Sequence, residues 1–180
     1  MLRLTKQFAL TLLTLMLMLS TSAFATTRED AIKSGFIYNF ARYSQGEWFH
    51  ETTAKSYNLC SFNSDFVEAA KLTLKDLSVR QVPVEVRFLR SDIEDIKGCH
   101  TLFISKNDIA KWNDIIIKEL IPNTMLVGEF NNFILSGGHI NFFIVGGKVR
   151  FEINPNKLKQ AGINMSSKVL RLGRIYKGPL

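Results

Sequence analysis

Apolar positions recur along the chain with two different periods, and the switches between them outline a fold. Thr27-x-x-Asp30 has the form of a capping box, after which Ile32, Phe36, Phe40 and Tyr43 fall on one face of a predicted helix. Lys55 to Phe62 reads as a short strand, and Ser64 caps a second helix with Phe66, Val67, Ala70, Leu74 and Leu77 as its stripe. Val82 to Leu89 alternates as a strand. Thr101-Leu102-Phe103-Ile104 is apolar enough for a strand buried on both faces. Ser105-x-x-Asp108 caps a third helix carrying Ile109, Trp112, Ile116 and Leu120, with Pro122 just past its end, and Thr124 to Gly128 is the next strand.

Phe130 to Gly138 reads as an ordered polar and aromatic surface loop ending in Ser136-Gly137-Gly138. His139 to Val145 and Lys148 to Asn154 then flank Gly146-Gly147, the strongest hairpin signal in the chain. A short helix over Pro155 to Ala161, stopped by Gly162, and another from about Ser166 to Arg174 complete the reading. Strands alternating with helices imply crossover connections. The expected class is α/β: a mixed, mainly parallel sheet with a C-terminal antiparallel hairpin at its edge, flanked by helices. No repeat or linker supports a second domain.

Compartment changes the picture next. Arg3 and Lys6, the apolar run Phe8 to Leu19, and Ala23-Phe24-Ala25 form the three parts of a secretory signal, with cleavage expected after Ala25 and a single domain over 26–180. Loss of Arg3 and Lys6 takes the net charge from +7 to +5. From Lys148 onward the bases are Lys148, Arg150, Lys157, Lys159, Lys168, Arg171, Arg174 and Lys177, against Glu152 alone. Such a basic end suits an anionic lipid, an acidic partner or simply solvent, and export argues against nucleic acid.

In an oxidising compartment Cys60 and Cys99, the chain's two cysteines, are expected to be joined. A competing reading takes Cys60 with Cys99-His100 as metal ligands, although adjacent ligands lack the usual spacing and no fourth is evident. No dinucleotide, phosphate-loop, zinc-protease or nucleophile-elbow signature is present. His100 heads a predicted buried strand, which favours a hydrogen-bonded structural role over catalysis. Scattered acids and histidines give a secreted hydrolase little support. Aromatics crowd between Phe36 and Phe49, leaving Tyr38 or Trp48-Phe49 as an expected exposed anchor for a partner. A small-molecule binder would draw on Phe40, Arg171 and Arg174 for a ligand with a ring or an anionic group.

Lys33-Ser34-Gly35-Phe36-Ile37-Tyr38-Asn39-Phe40-Ala41 with Trp48, Cys99 to Ser105, Phe133 to Phe142, Val149-Arg150-Phe151-Glu152-Ile153-Asn154 and Ala161 to Ser167 with Leu170-Arg171-Leu172 stand in one order. In these motifs the chain resembles the YfiR family of periplasmic regulators. The resemblance implies a homodimeric repressor that is not an enzyme; separately, no cofactor or metal is expected from the residues. It implies binding to the periplasmic sensor domain of an inner-membrane diguanylate cyclase, which lowers cyclic di-GMP and biofilm formation. Release would come from an outer-membrane, peptidoglycan-binding lipoprotein or from damage to a structural Cys60–Cys99 bridge. By motif it places the partner surface at Glu152, with Ser136 and Leu158 beside it. Glu152 is also the lone acid among eight bases, so an internal pair with a neighbour such as Arg150 competes with a partner contact.

Overall fold

The computed structural model describes residues 21–90, 96–117 and 123–178, and the side chains from Arg28 onward except those of 116 and 117. The secretory-signal motif up to Ser20, the side chain of Ile116 and the whole of Leu120 in the third predicted stripe, and Pro122 lie outside what is described.

Helix α1 (Thr21–Arg42) is followed by β1 (Ser44–Gln45), β2 (Tyr57–Ser61), α2 (Ser64–Thr73), β3 (Ser78–Val79) and β4 (Val82–Phe88). Then come β5 (Thr101–Ile104), a 3₁₀ turn (Lys106–Asp108), α3 (Ile109–Ile117), β6 (Met125–Gly128), β7 (Ile140–Val145) and β8 (Lys148–Ile153). The chain closes with α4 (Pro155–Gln160), β9 (Asn164–Met165), α5 (Ser167–Leu170) and β10 (Arg174–Ile175). Eight strands form one sheet in the order β10-β8-β7-β6-β5-β2-β4-β3, and β1 pairs with β9 in a small second sheet. From β4 through β2, β5 and β6 to β7 every pairing is parallel, while β7–β8 and β3–β4 are antiparallel. This is the expected α/β class with one amendment: β10 runs parallel to β8 outside the hairpin, so β8 is not the edge. Arg174 therefore belongs to a strand, and the last predicted helix is one short turn.

The sheet divides two cores. On one face α1 and α2 cover Phe66, Phe103, Val127, Ile140, Phe142 and Phe151; on the other, α3 and the loop after β6 cover Cys60, Leu102, Ile104, Leu126 and Phe133. Buried β5 sends alternate side chains to each core, which is why its sequence is apolar without interruption.

Several local expectations shift. Helix α1 is described from Thr21, so Thr27 lies inside it rather than at its N-terminus, and the expected cleavage point falls within the helix. Its inward face is Asp30, Lys33, Ser34, Ile37, Phe40 and Ala41, whereas Ile32 and Tyr43 are exposed. The Asn63 side chain, not Ser64, caps α2 by accepting the Phe66 N–H at 2.8 Å. Ser105 caps the 3₁₀ turn that precedes α3; Trp112 and Ile115 are buried there and Ile109 is exposed. Trp48 and Phe49 are buried against Tyr57, so neither is a free anchor. The Gly146-Gly147 turn has φ of 57° and 70°, which glycine adopts without a Cβ penalty.

Candidate functional site

The antiparallel ladder sets the geometry around Glu152. Asn141 lies opposite Glu152, Phe143 opposite Arg150, and Val145 opposite Lys148, so these six side chains share one face; β10 then places Arg174 beside Glu152. The opposite face of the hairpin packs Phe142 and Phe151 onto Phe36 and Phe40. Asn141 is buried under the loop after β6, but the rest of this face is open: Val145, Lys148, Arg150 and Arg174 are exposed and Phe143 and Glu152 are half-buried.

Arg174 donates through Nε (3.1 Å) and Nη2 (2.6 Å) to Glu152 Oε2, and its guanidinium lies 4.6 Å from the centroid of Phe143. Glu152 therefore has an internal partner, and it is Arg174 rather than the anticipated neighbour Arg150. Lys148 and Arg150 have no carboxylate partner among the described residues, which leaves a basic sheet face with two apolar side chains in it.

The other predicted residues divide. Ser136 lies on the same side of the sheet as Glu152, in the loop over the smaller core, where its Oγ accepts from Trp112 Nε1 at 2.8 Å and donates to Phe133 O at 3.0 Å. Leu158 is 1% exposed and packs inward from α4, yet it also forms a wall of an apolar cleft of about 190 Å³ with Pro155, Ile163, Met165 and Leu170. Phe40 is 1% exposed inside a cluster of phenylalanines, so it offers a ligand no ring face; Arg171 and Arg174 are exposed elsewhere.

The arginines that do converge are Arg42 and Arg80. With Tyr43, Gln45, Glu51, Asn164, Met165 and Ser166 they line a cavity of about 720 Å³ that shares Asn164 and Met165 with the apolar cleft. Arg80 and Gln81 form the β3–β4 turn with φ of 49° and 71°, a conformation that costs non-glycine residues energy. Bonds from Arg80 to Glu51 Oε2 (3.0 Å), Phe49 O (3.4 Å) and Ser44 O hold that turn in place. A backbone hydrogen bond and the Arg80 guanidinium keep the Glu51 carboxyl below its ordinary range. Nothing in the sequence marks Arg80, because its role depends on a turn that its residue type disfavours. Gly46 carries a readable signal: a Cβ there would lie 1.9 Å from Gly162 O, so the chain after β1 approaches the backbone after α4 this closely only with glycine at 46.

A buried ion cluster was also not anticipated. Lys33, 4% exposed, places Nζ 2.5 Å from Glu29 Oε1 and 3.7 Å from Asp30 Oδ1 and donates to Glu129 Oε2; the Lys106 N–H binds the other Glu129 oxygen at 3.2 Å. Burial pushes the Asp30 carboxyl up to about 6, with Lys33 only partly offsetting it. Burial opposes the charge on Lys33, but hydrogen bonds to Glu129 and Glu29 prevail and hold its ammonium above the usual range. The cluster ties α1 to the ends of β5 and β6.

Both strand-heading histidines have structural jobs. His100 donates its N–H to Asn58 O (2.9 Å) and accepts the Asn58 N–H on Nδ1 (2.9 Å). His139 makes the same clasp on Leu126, at 3.1 Å for each bond. Burial lowers the affinity of both for a proton, in His139 to about 4. Cys60 and Cys99 are disulfide-bonded with Cα atoms 5.8 Å apart, which removes both thiolates from the metal reading. Among the described residues no helix is long and apolar enough to cross a membrane.

These features define a doubly wound α/β domain with an open basic sheet face and, among the described residues, no nucleophile hydrogen-bonded to a histidine base. The family described as YfiR/HmsC-like (DUF4154) matches residues 30–174, and the chain belongs to that family, whose members are regulators. No curated protein matches the chain. Among solved structures, the ABC domain in complex with L-Trp from Streptococcus pneumonia aligns with a TM-score of 0.50 at 11% identity, over 67% of this chain and 56% of that one. That likeness is one of fold, and this chain accounts for little more than half of that protein's length.

Proposed function

We propose that the protein is a periplasmic repressor, exported by a signal peptide cleaved after Ala25, that binds the periplasmic sensor domain of an inner-membrane diguanylate cyclase. Binding lowers cyclic di-GMP output and biofilm formation, and the protein itself catalyses no reaction. It acts as a homodimer. An outer-membrane, peptidoglycan-binding lipoprotein relieves repression by sequestering it. The observation that carries this reading is the family match across residues 30–174, whose motif residue Glu152 lies in the open face of β7, β8 and β10.

Repression follows from linkage: the protein biases the cyclase only as far as it binds the inactive sensor arrangement more tightly than the active one. On the partner surface Glu152 orients Arg174 over Phe143, Ser136 braces the adjoining loop through Trp112, and Leu158 shapes the cleft into which a partner's apolar side chain can insert. The test is a pull-down of the processed protein against detergent-solubilised inner membranes, with and without reductant. Capture of a diguanylate cyclase, lost in Glu152→Lys, is the expected result; absence of any cyclase under both conditions overturns it.

The cavity around Arg42, Tyr43 and Arg80 favours a second reading, a periplasmic small-molecule binder for a ring-bearing anion. It replaces the anticipated Phe40, Arg171 and Arg174 with residues that face one space. A thermal shift with such ligands that disappears in Arg80→Ala supports it.

A further inference from the structure

The β7–β8 hairpin extends past the sheet it belongs to. β6 pairs with β7 only at Ile140 and Asn141, and β10 pairs with β8 only at Glu152 and Ile153, so Phe142 to Val145 and Lys148 to Phe151 have only each other as ladder partners. At the far end Ile144 is 49% and Val145 57% exposed, and the turn between the strands is two glycines with nothing near their Cβ positions. Two β-branched side chains thus flank the turn at the end of the ribbon, Ile144 on the face toward α1 and Val145 on the open face.

Cations flank them, Lys148 across the ladder from Val145 and Arg150 across from Phe143. Lys148 and Arg150 follow the turn, and Arg28 on α1 lines the same cleft as Ile32, Ile144 and Lys148; none of the three bases pairs with a carboxylate among the described residues. The nearby acids are already engaged, Glu29 with Lys33 and Glu152 with Arg174. At ~3.3 Å per strand residue, Arg150 trails the turn by roughly 7 Å more than Lys148 does. Interfacial anchors bury their apolar part ~5–10 Å below the headgroups, with Lys and Arg at headgroup level; Arg150 is set back from the tip, and Lys148, level with Val145, has an aliphatic stem long enough to return its ammonium to that level. An acidic protein surface would match the charge but gives no reason for the apolar residues to occupy the extremity.

We infer that the β7–β8 tip is a membrane-surface anchor: Ile144 and Val145 enter the interface of an anionic bilayer while Lys148, Arg150 and Arg28 contact its headgroups. The inference stands apart from the repressor reading, since it requires lipid and no protein partner. A repressor of a membrane enzyme would gain from it a reduced search, because its partner shares the surface.

The test is co-sedimentation of the protein as the cell processes it, with its N-terminus read by mass spectrometry, on vesicles of pure phosphatidylcholine or of phosphatidylcholine with about one-third phosphatidylglycerol. Binding to the anionic vesicles alone, weakened as salt rises, is expected. Lys148→Ala should lose about fivefold in partitioning, the effect of one cation near such a surface. Val145→Asp should lose roughly tenfold or more, since it removes apolar contact and adds a repelled charge. Val145 is exposed, and an unchanged melting temperature certifies the fold of each variant. Absence of binding to anionic vesicles overturns the anchor, as does equal binding by both variants. Capture of an acidic protein by the same residues with no lipid binding also overturns it and makes the face a protein interface.

Discussion

The two halves of the sheet solve different problems. Strands β2, β5 and β6 are parallel, buried on both faces and pinned by Cys60–Cys99; at β7–β8 the sheet turns antiparallel, packs one face on α1 and leaves much of the other to solvent, with β10 added in parallel beyond β8. A parallel sheet must be covered on both sides, so it has little surface to offer. An antiparallel hairpin can bury one face and present the other, and in this protein the presented face is basic. Stability and recognition are thereby separated along the sheet, and the separation can be tested from either side.

The largest effect should come from the closed half. The bridge closes a span of 39 residues, for which the chain-entropy argument gives about 4 kcal/mol. Urea unfolding of the Cys60→Ala/Cys99→Ala protein should show a loss of that order. If instead it bound the cyclase as the intact protein does while unfolding much more readily, the division between the halves would be sharpened; a loss of stability below about 1 kcal/mol would break it.

Next is the ion cluster that joins α1 to the ends of β5 and β6. Lys33→Met leaves Asp30 and Glu129, both largely buried, without their cation, while Glu29 is 40% exposed and can turn to water; the loss of one partner from a buried ion pair costs about 3 kcal/mol. The deficit should be smaller at pH 5 than at pH 7, because the carboxylates can then protonate. A deficit independent of pH would show that the cluster acts by packing alone.

Histidine 139 sits at the seam between the halves. Its proton affinity is lower folded (about 4) than unfolded (about 6.5), so its contribution is full above pH 6.5 and declines as pH falls toward 4, by up to about 3 kcal/mol. Asp30 runs the other way: raised to about 6, it favours the fold as pH falls from 6 toward 4. Comparison with His139→Asn, whose amide oxygen can still accept from Leu126 N–H, isolates the histidine. The wild-type protein should lose stability relative to that variant between pH 6.5 and 4, measured by thermal melts.

The closed half was the more legible in the sequence. The run Thr101 to Ile104 and the stripe on α2 carry periodic signals that need no tertiary partner, and in the open half only the Gly146-Gly147 turn does the same. Elements stabilised only by distant contacts were not legible: β1 and β9 are two residues each and exist by pairing with each other, and β10 exists because β8 offers it an edge. The same reason hid the partner of Glu152, since Arg174 reads as helical until β10 is known. Leu158 and Phe40 were motif residues whose side chains prove to be core. Arg80 and Lys33 were invisible because a strained turn and a buried cation both run against residue preference, and only the assembled structure supplies what offsets them.

Packing under the seam gives a smaller effect. A Cβ on Gly138 would lie 2.2 Å from the ring of Phe133, which plugs the loop into the smaller core. Gly138→Ala should cost about 2 kcal/mol, the usual range for overpacking. If Phe133 and Trp112 shift in response, Ser136 moves with them, so partner affinity should fall along with stability.

The smallest effect on stability and the clearest on recognition belong to Glu152. Its pair with Arg174 is largely open to water, with Arg174 65% exposed, and such pairs contribute less than about 1 kcal/mol. Glu152→Gln should therefore melt within a degree or two of wild type. It releases Arg174 from the Phe143 ring and raises the positive charge of the face, so a partner that reads a fixed pattern should dissociate faster, whereas one that merely needs positive charge should associate faster. Association and dissociation rates against the captured cyclase sensor domain distinguish the two, and Arg174→Gln gives the control: for pattern recognition both variants lose affinity, while for bulk charge they change it in opposite directions.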